Sequence, residues 1–187
     1  MIRVSPASPI DAGTKGSQSA IGLRWLGLGV SAFVIQIALV HGLAAAPSGA
    51  RWLPFLLPTA HLLLIPFLIR NLKYWGMRLL LAGLLLNLTA MLANGGLMPV
   101  EPSAVQAVGR VELNELKPGE HIPGSKNRLV ADGELRASWL SDRLIIPVPR
   151  PFTRAVSIGD IIVAFGVVIA YGEVVFRRGA RGGISNA

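Results

Sequence analysis

The polar residues between the third and fourth apolar runs of the sequence are the first candidates for chemistry. Hydrolysis of a lipid or peptide needs a nucleophile with a base, a pair of carboxylates or a set of metal ligands. His121, Asp132, Glu134 and Asp142 carry suitable groups, but their spacing matches none of these arrangements, and a solvated loop accounts for them. The sequence therefore predicts no catalytic residue and a protein that is not an enzyme.

Patterns for metals, cofactors and nucleic acid are missing as well. Cysteine is absent and histidine occurs three times, which argues against thiolate and histidine-rich metal sites. A phosphate loop, a dinucleotide fingerprint and a zinc pattern are not found. The net charge of +8 would suit nucleic acid, but the basic residues flank apolar runs, as in membrane proteins. We predict no metal, no cofactor and no nucleic-acid partner.

The composition favours a membrane protein. Of the 187 residues, 52% are hydrophobic and 15% are charged, which is more apolar than a typical soluble domain. Each of four apolar runs has about the 20 residues that cross a bilayer core as a helix. These runs are residues 21–45, 52–69, 75–93 and 157–176. The predicted fold class is an all-α membrane protein, a bundle of four transmembrane helices with an extracytoplasmic segment that contains a short helix.

The positions of Lys and Arg predict the orientation in the membrane. Basic residues collect near the N-terminus, between the second and third spans and after the fourth, whereas the loop between the first two spans holds only Arg51. Both termini are therefore expected in the cytoplasm. The predicted organisation is a disordered cytoplasmic tail, three transmembrane helices, an extracytoplasmic segment, a fourth transmembrane helix and a cytoplasmic tail, at residues 1–20, 21–93, 94–156, 157–177 and 178–187.

Three motifs border the extracytoplasmic segment. "NGGLMP", at 94–99, predicts a helix end, because Asn or Gly in the left-handed conformation caps the last carbonyls; alternatively, the paired glycines admit another chain segment or a ligand. "DRLIIPVPRPF", at 142–152, predicts an extended, polyproline-like path that needs no strand partner. "SIGD", at 157–160, has capping-box spacing. A helix is also expected from about residue 102 to residue 118.

These motifs are expected to meet on the outer face, where they form either a binding surface or a well-packed cap. The candidate cluster consists of Asn94, Gly95, Gly96, Met98, Pro99, Asp142, Arg143, Pro147, Pro149, Arg150, Pro151, Ser157 and Asp160.

Three polar side chains, Gln36, His61 and Asn87, lie inside the predicted spans. Such groups normally face protein or water. At 1.5 Å per residue, His61 and Asn87 fall near the middle of consecutive antiparallel helices. We expect a hydrogen bond between them, worth about 0.6–2 kcal/mol. The alternatives for His61 are a proton carrier and a haem ligand.

Taken together, "NGGLMP", "DRLIIPVPRPF" and "SIGDIIVAFGVVI" resemble a family of bacterial integral membrane proteins of unknown function. The resemblance runs from about Leu23 to about Ile169. It implies a helical membrane fold and a membrane compartment, and it implies no activity. Members usually begin with one more apolar span, whereas a polar tail occupies that place here.

The sequence thus favours a multi-pass bacterial inner-membrane protein that binds membrane lipid or a protein partner through its outer cap. The alternative is an accessory subunit of a larger membrane complex, which few spans and many small residues would also suit. A transporter has little support, because four spans without clear repeats or several buried charges lack the usual features.

Overall fold

The computed structural model describes residues 23–45, 47–108, 116–131, 133–148 and 153–182. The helices are α1 (Leu26–His41), α2 (Pro47–Ala50), α3 (Leu53–Arg70), α4 (Trp75–Ala93), α5 (Pro102–Val108) and α6 (Ile158–Gly182). The strands are β1 (Met98–Val100), β2 (Asn127–Leu129), β3 (Leu144–Ile146) and β4 (Arg154–Val156).

Among the described residues, four helices are long and apolar enough to cross a membrane. They cover Leu26–Ala45, Leu53–Arg70, Trp75–Ala93 and Ile158–Phe176. These segments coincide with the four predicted runs, so the prediction of four membrane-spanning candidates is confirmed. The predicted all-α fold class was incomplete, because the described part of the segment between α4 and α6 also contains four short strands.

The four long helices pack in the order of the chain. α1 lies on α3, α3 lies on α4, and α4 makes its most extensive contact with α6. We call the end where α1 and α4 finish the cap end, and the opposite end the tail end. The described residues between Asn94 and Val156 form the cap. α1 and α6 are thus the two outer members of the row, and both expose large apolar side chains.

Glycines allow α4 and α6 to approach closely. A Cβ added to Gly83 would lie 2.7 Å from the carbonyl oxygen of Gly159, and one added to Gly166 would lie 2.8 Å from the backbone nitrogen of Leu80. Small residues at a helix interface are the usual way in which membrane helices pack backbone to backbone. Gly83 and Gly166 therefore have a packing role between α4 and α6.

Hydrogen bonds at the tail end connect neighbouring helices. The side chain of Asn71, which follows α3, accepts from the Arg24 N–H at 2.9 Å and donates to the Arg24 carbonyl at 2.8 Å. The carboxylate of Glu173 on α6 accepts from the N–H groups of Trp75 and Gly76, both at 3.0 Å. Glu173 therefore caps the first turn of α4 from another helix, at the positive end of the helix dipole.

The cap strands form two separate pairs. β1 and β2 are parallel, with Met98 opposite Asn127, and β3 and β4 are antiparallel, with Leu144 opposite Val156. The predicted unpaired path was therefore wrong for residues 144–146, because the β-branched Ile145 and Ile146 favour a strand that has a partner. Residues 149–152 of the proline-rich motif lie outside the described residues.

The helix predicted from residue 102 is shorter than expected where it can be followed. α5 runs from Pro102 to Val108, residues 109–115 lie outside the described residues, and residues 116–118 are not helical.

An apolar core joins the cap to the long helices. Leu53 and Leu57 of α3, Met91 of α4, Met98 of β1 and Leu140 are each 2% exposed or less and pack together. A second group, Val100, Ala104, Val105, Ile122 and Leu129, forms the interior of the cap itself. The first core fixes the position of the cap against the cap end of the helices.

Candidate functional site

The first turn of α6 carries a reciprocal pair of hydrogen bonds. The Asp160 N–H donates to Ser157 Oγ at 3.0 Å, and the Ser157 N–H donates to Asp160 Oδ2 at 3.3 Å. The capping box predicted from "SIGD" is therefore confirmed, and it satisfies two backbone donors that a helix start leaves free. It also holds the Asp160 carboxylate in one orientation.

The amide of Asn87 connects α4 to this turn. Its Nδ2–H donates to Asp160 Oδ1 at 2.7 Å, and its Oδ1 accepts from the Ser157 hydroxyl at 2.9 Å. The predicted His61–Asn87 hydrogen bond is wrong, because α6 rather than α3 faces Asn87. His61 Nδ1 instead donates to the Leu57 carbonyl on its own helix, at 2.8 Å.

Gln36, the third polar residue predicted inside the spans, links two helices. Its Nε2 donates to the Ala60 carbonyl at 3.3 Å and so joins α1 to α3. This contact satisfies the amide without a ligand and gives Gln36 a packing role.

Lys126, directly before β2, lies between two carboxylates. Its Nζ donates to Asp160 Oδ2 at 2.7 Å and lies 3.7 Å from Asp142 Oδ2. Burial by itself lowers the pKa of Lys126, but Asp142 and Asp160 outweigh it and raise the pKa above its usual value. The ammonium group therefore stays charged, and the three side chains form one charged cluster.

Asp142 is the most buried member of this cluster. Its side chain is 1% exposed, and its Oδ2 accepts from Asn127 Nδ2 at 2.7 Å. Its Oδ1 is buried and has no hydrogen-bond partner among the described residues. Burial raises the pKa of Asp142 from 3.8 to about 6; the charge of Lys126 opposes this shift, and the charge of Asp160 adds to it. Asp142 can therefore take up a proton near neutral pH.

The cluster borders a cavity of about 710 Å³ at the cap end. Its apolar walls come from α1, β1, α5 and β4, and its polar side comes from the cluster and the turn before β2. The lining residues include Val40, His41, Val100, Val105, Val108, Ile122, Lys126, Asn127, Asp142, Arg154, Ala155, Val156 and Asp160. The arrangement can hold one molecule that has an apolar part and a polar part.

The depth of the cluster follows from the partners of Asn87. Asn87 lies six residues before Ala93, the last residue of α4, which corresponds to about 9 Å at 1.5 Å per residue. Since Asn87 contacts Asp160, α6 begins about that far below the end of α4. The charged cluster is therefore set into the layer of helices.

"NGGLMP" ends α4, as predicted, but the left-handed residues are the glycines. Asn94 has a φ of −118°, whereas Gly95 and Gly96 have φ values of 79° and 89°. The Gly96 N–H donates to the Met91 carbonyl at 2.7 Å. A Cβ on Gly96 would overlap the carbonyl oxygen of Pro54. The glycines thus end the helix and also allow another chain segment to approach closely. Both interpretations of the motif, helix end and close approach, therefore apply.

Asn94 and Gly95 border a second recess, of about 500 Å³, with Arg128, Glu134 and Arg136. The Asn94 side chain accepts from the Arg136 N–H at 3.1 Å and donates to the Arg136 carbonyl at 2.8 Å. The Asn94 amide therefore connects the cap to α4, and its hydrogen-bonding groups already have partners within the protein.

The predicted cluster is brought together in part. Asp142, Ser157 and Asp160 meet as one network, while Asn94 and Gly95 lie at the second recess. Met98 and Pro99 are buried in β1, and Arg143 and Pro147 are exposed next to β3. Pro149, Arg150 and Pro151 lie outside the described residues.

Lys126 and Asn127 were not among the residues predicted from the sequence. They stand in "GSKNRL", a polar stretch with turn signals, and a single lysine there carries no spacing signal. They come to Asp142 through β1: β2 pairs with β1, with Asn127 opposite Met98, and the Asp142 N–H donates to the Pro99 carbonyl at 3.1 Å. Among the residues that the structure describes, no group of three or more His, Asp or Glu is placed to hold a metal ion.

Comparison with curated proteins and with solved structures gives no match. A family model does match, over residues 20–171, which is most of the chain. The chain therefore belongs to the family of unknown function DUF5317.

Proposed function

We propose that the protein binds one lipid-like amphiphile in the cap cavity and catalyses no reaction on it. The observation that carries this proposal is a cavity of about 710 Å³ that is lined both by apolar side chains and by the charged cluster. Ligand sites are typically about 300–1,000 Å³ in volume, mostly apolar, with a few placed polar groups.

The apolar part of the site joins the cap to a long apolar helix. Val40 at the cap end of α1 contributes to the wall, as do Val100, Val105 and Ile122 of the cap. The cavity therefore runs from the cap interior to a membrane-facing helix. An acyl chain could enter from the lipid beside α1 and keep its apolar surface out of water, which is favourable by about 25 cal/mol per Å².

The polar part of the site lies within the layer of helices, below the cap end of α4. The cluster is about 9 Å below the end of α4, and its most exposed members, Lys126 and Asp160, each have side chains that are 28% exposed. A bound amphiphile would place its polar end at these two residues while its chain lies against the valines. That division matches the two kinds of side chain that line the cavity.

The hydrogen bonds of the site support binding over catalysis. The only hydroxyl of the network, that of Ser157, donates to the Asn87 amide, which is not a base that could activate it. Both oxygens of Asp160 accept hydrogen bonds from the protein. A nucleophile with an adjacent base is therefore not formed by these residues.

We also propose that the cap lies on the extracytoplasmic face of a bacterial inner membrane, with both termini in the cytoplasm. Arg24, Arg70, Lys73 and Arg78 flank the tail ends of the long helices, and basic residues of this kind favour the cytoplasmic side. The cysteine-free sequence permits a direct test with Lys73→Cys and Glu134→Cys. In intact cells, a membrane-impermeant thiol reagent should label Cys at 134 and not at 73; the reverse pattern contradicts the orientation.

Photo-crosslinking tests the binding proposal. The full chain in lipid nanodiscs is irradiated with a neutral twelve-carbon alcohol that carries a diazirine at the end of its chain. We expect labelled peptides from β1, α5 and β4 above the background labelling of the lipid-facing side of α6. Equal labelling of cap and α6 would contradict a dedicated site.

A matched pair of tryptophan variants controls for non-specific labelling. Ala155→Trp places an indole in the cavity and should abolish the cap labelling, whereas Val168→Trp adds the same side chain on a face that is 69% exposed and should leave it unchanged. If Ala155→Trp keeps full cap labelling, the cavity is not the binding site.

A second proposed function, accessory subunit of a larger membrane complex, is favoured by one observation. The outer helices α1 and α6 expose large side chains such as Phe33, Phe165 and Phe176, with exposed fractions of 57%, 62% and 80%. Partner helices would cover these faces as well as lipid does. Extraction in mild detergent followed by native mass spectrometry should then give a defined larger assembly, and a monomer would contradict this alternative.

A further inference from the structure

The charges of the cluster do not balance. Lys126 supplies one positive charge, and Asp142 and Asp160 supply two negative charges when both are ionised. Its ammonium group donates to Asp160 at 2.7 Å and stays 3.7 Å from Asp142. One carboxylate therefore has a close cationic partner, and the other has a neutral amide, Asn127, as its nearest donor.

One oxygen atom of Asp142 reflects this missing positive charge. Its Oδ1 is buried and has no partner among the described residues, although a buried carboxylate oxygen normally accepts a hydrogen bond. Leaving such a group without a partner is costly. The site is therefore incomplete by one donor or one positive charge.

The other groups around Asp142 do not fill this position. Lys126 approaches from the turn before β2, Asp160 from α6, and the neutral Asn127 from β2. Arg154 of β4 and His41 of α1 line the same cavity, but neither forms a hydrogen bond or an ion pair with Asp142 in the described structure. The cap cavity is the side from which a further group could come.

We propose that the polar end of the bound amphiphile carries a primary or secondary ammonium group, which supplies the positive charge missing from the Lys126–Asp142–Asp160 cluster. This inference rests on the proposed function and names the class of ligand.

The geometry indicates how the ammonium group completes the cluster. Asp160 has a side chain that is 28% exposed, against 1% for Asp142, so the ligand meets Asp160 first. An ammonium on Asp160 repels Lys126, whose Nζ then needs to move about 1 Å to come within the usual range of a charge-assisted hydrogen bond to Asp142 Oδ2. Each carboxylate then has its own cation.

The raised pKa of Asp142 is consistent with a missing positive charge beside it. The pKa of Asp142 is raised to about 6, with burial as the main cause. In the absence of a ligand, a proton takes the place of the missing charge at low pH. An amine and that proton compete, so the amine should bind more tightly at pH 8 than at pH 5.

An anionic headgroup fits the cluster less well. Lys126 is already engaged by Asp160, and a phosphate or sulfate beside Asp142 and Asp160 would add a third negative charge to a partly buried site. Like charges at such distances repel strongly when water is excluded. The two carboxylates therefore select against anions.

Competition against the neutral diazirine alcohol tests the proposal. Dodecylamine, dodecanol and dodecyl sulfate are added to the full chain in neutral-lipid nanodiscs at equal membrane concentrations, at pH 8 and pH 5. We expect the amine to suppress cap labelling at about one-tenth of the concentration that the alcohol needs at pH 8, and at a clearly higher concentration at pH 5. The alkylamine itself stays protonated at both pH values.

Two variants test whether the preference for the amine depends on Asp142. Asp142→Asn removes one negative charge with little change of shape, and the amine-to-alcohol ratio should then fall to about one. Glu134→Gln removes an acidic side chain at the second recess and should leave the ratio unchanged. If Asp142→Asn does not fold, the comparison of the three amphiphiles at two pH values on the unmodified chain decides the question.

The outcomes separate the two proposals. Equal competition by amine and alcohol, or a preference for dodecyl sulfate, overturns the ammonium inference and leaves the cavity as a lipid-like binding site. Failure of all three compounds to suppress cap labelling overturns both proposals.

Discussion

The amide of Asn87 on α4 donates to Asp160 Oδ1 on α6 at 2.7 Å, and this contact joins the first turn of the fourth long helix to the interior of α4. The capping box of "SIGD" therefore lies about 9 Å below the end of α4, and the cap lies above it. The structure of the site thus depends on a side chain within one of the long apolar helices.

Replacing Asn87 tests this dependence. Asn87→Ala removes the donor to Asp160 and the acceptor for the buried Ser157 hydroxyl. Buried polar groups that lose a partner cost about 1–3 kcal/mol, so the apparent melting temperature in mild detergent should fall. Thr89→Ala is the control on the same helix, because the Thr89 hydroxyl is exposed and bonds within its own helix. Equal effects of the two variants would contradict a bridging role for Asn87.

Two glycines with similar backbone angles separate crowding from backbone strain. Gly96 and Gly119 have φ values of 89° and 94°, so alanine at either position costs about 1–2 kcal/mol of backbone strain. A Cβ at Gly96 also overlaps the Pro54 carbonyl, whereas one at Gly119 has open space in the described structure. Gly96→Ala should therefore lower the melting temperature clearly more than Gly119→Ala. Similar losses would show that the Pro54 contact is not tight.

The spans were predictable from sequence because length and hydropathy alone define a helix that can cross a membrane. The capping box was predictable for a related reason: Ser157 and Asp160 interact over three residues of sequence. Local spacing fixes such contacts before any tertiary structure is known.

The candidate site was predictable only in part: Asp142, Ser157 and Asp160 were in the predicted cluster, but the contacts that join them to Asn87 and Lys126 connect distant parts of the chain. Asn87 and Asp160 are 73 residues apart, and Lys126 and Asp160 are 34 apart. The sequence placed Asn87 opposite His61 because consecutive helices usually pack together. The structure instead gives α4 its largest contact with α6, where glycines permit a closer approach. Lys126 carried no local signal at all.

A glycine pair on α6 tests that close approach. A Cβ at Gly166 would lie 2.8 Å from the Leu80 backbone nitrogen, whereas one at Gly172 meets open space in the described structure. Gly166→Ala should therefore push α6 from α4 and lower the melting temperature. Gly172→Ala should be neutral or slightly stabilising, since alanine is favoured over glycine in helices by about 1 kcal/mol. A neutral Gly166→Ala would contradict backbone-to-backbone packing at this position.

The charge of Asp142 makes the stability of the cap depend on pH. Burial raises the pKa of Asp142 in the folded chain to about 6 from 3.8, so the folded state holds its proton more tightly than the unfolded state does. The resulting stability is fully present below pH 3.8 and is lost as the pH rises through about 6. Between pH 5 and pH 8 the cap should lose roughly 1–2 kcal/mol.

Hydrogen exchange measures this loss at the strands next to Asp142. The Met98 N–H donates to the Lys126 carbonyl at 2.9 Å, and the Asp142 N–H donates to the Pro99 carbonyl at 3.1 Å. Protection of these amides, corrected for the intrinsic pH dependence of exchange, should be lower at pH 8 than at pH 5. Asp142→Asn has no proton to lose in this range, so its protection should stay constant. Protection that rises with pH in the unmodified chain would show that Asp142 is stabilised in its ionised form, with Lys126 rather than burial as the dominant influence on its carboxyl group.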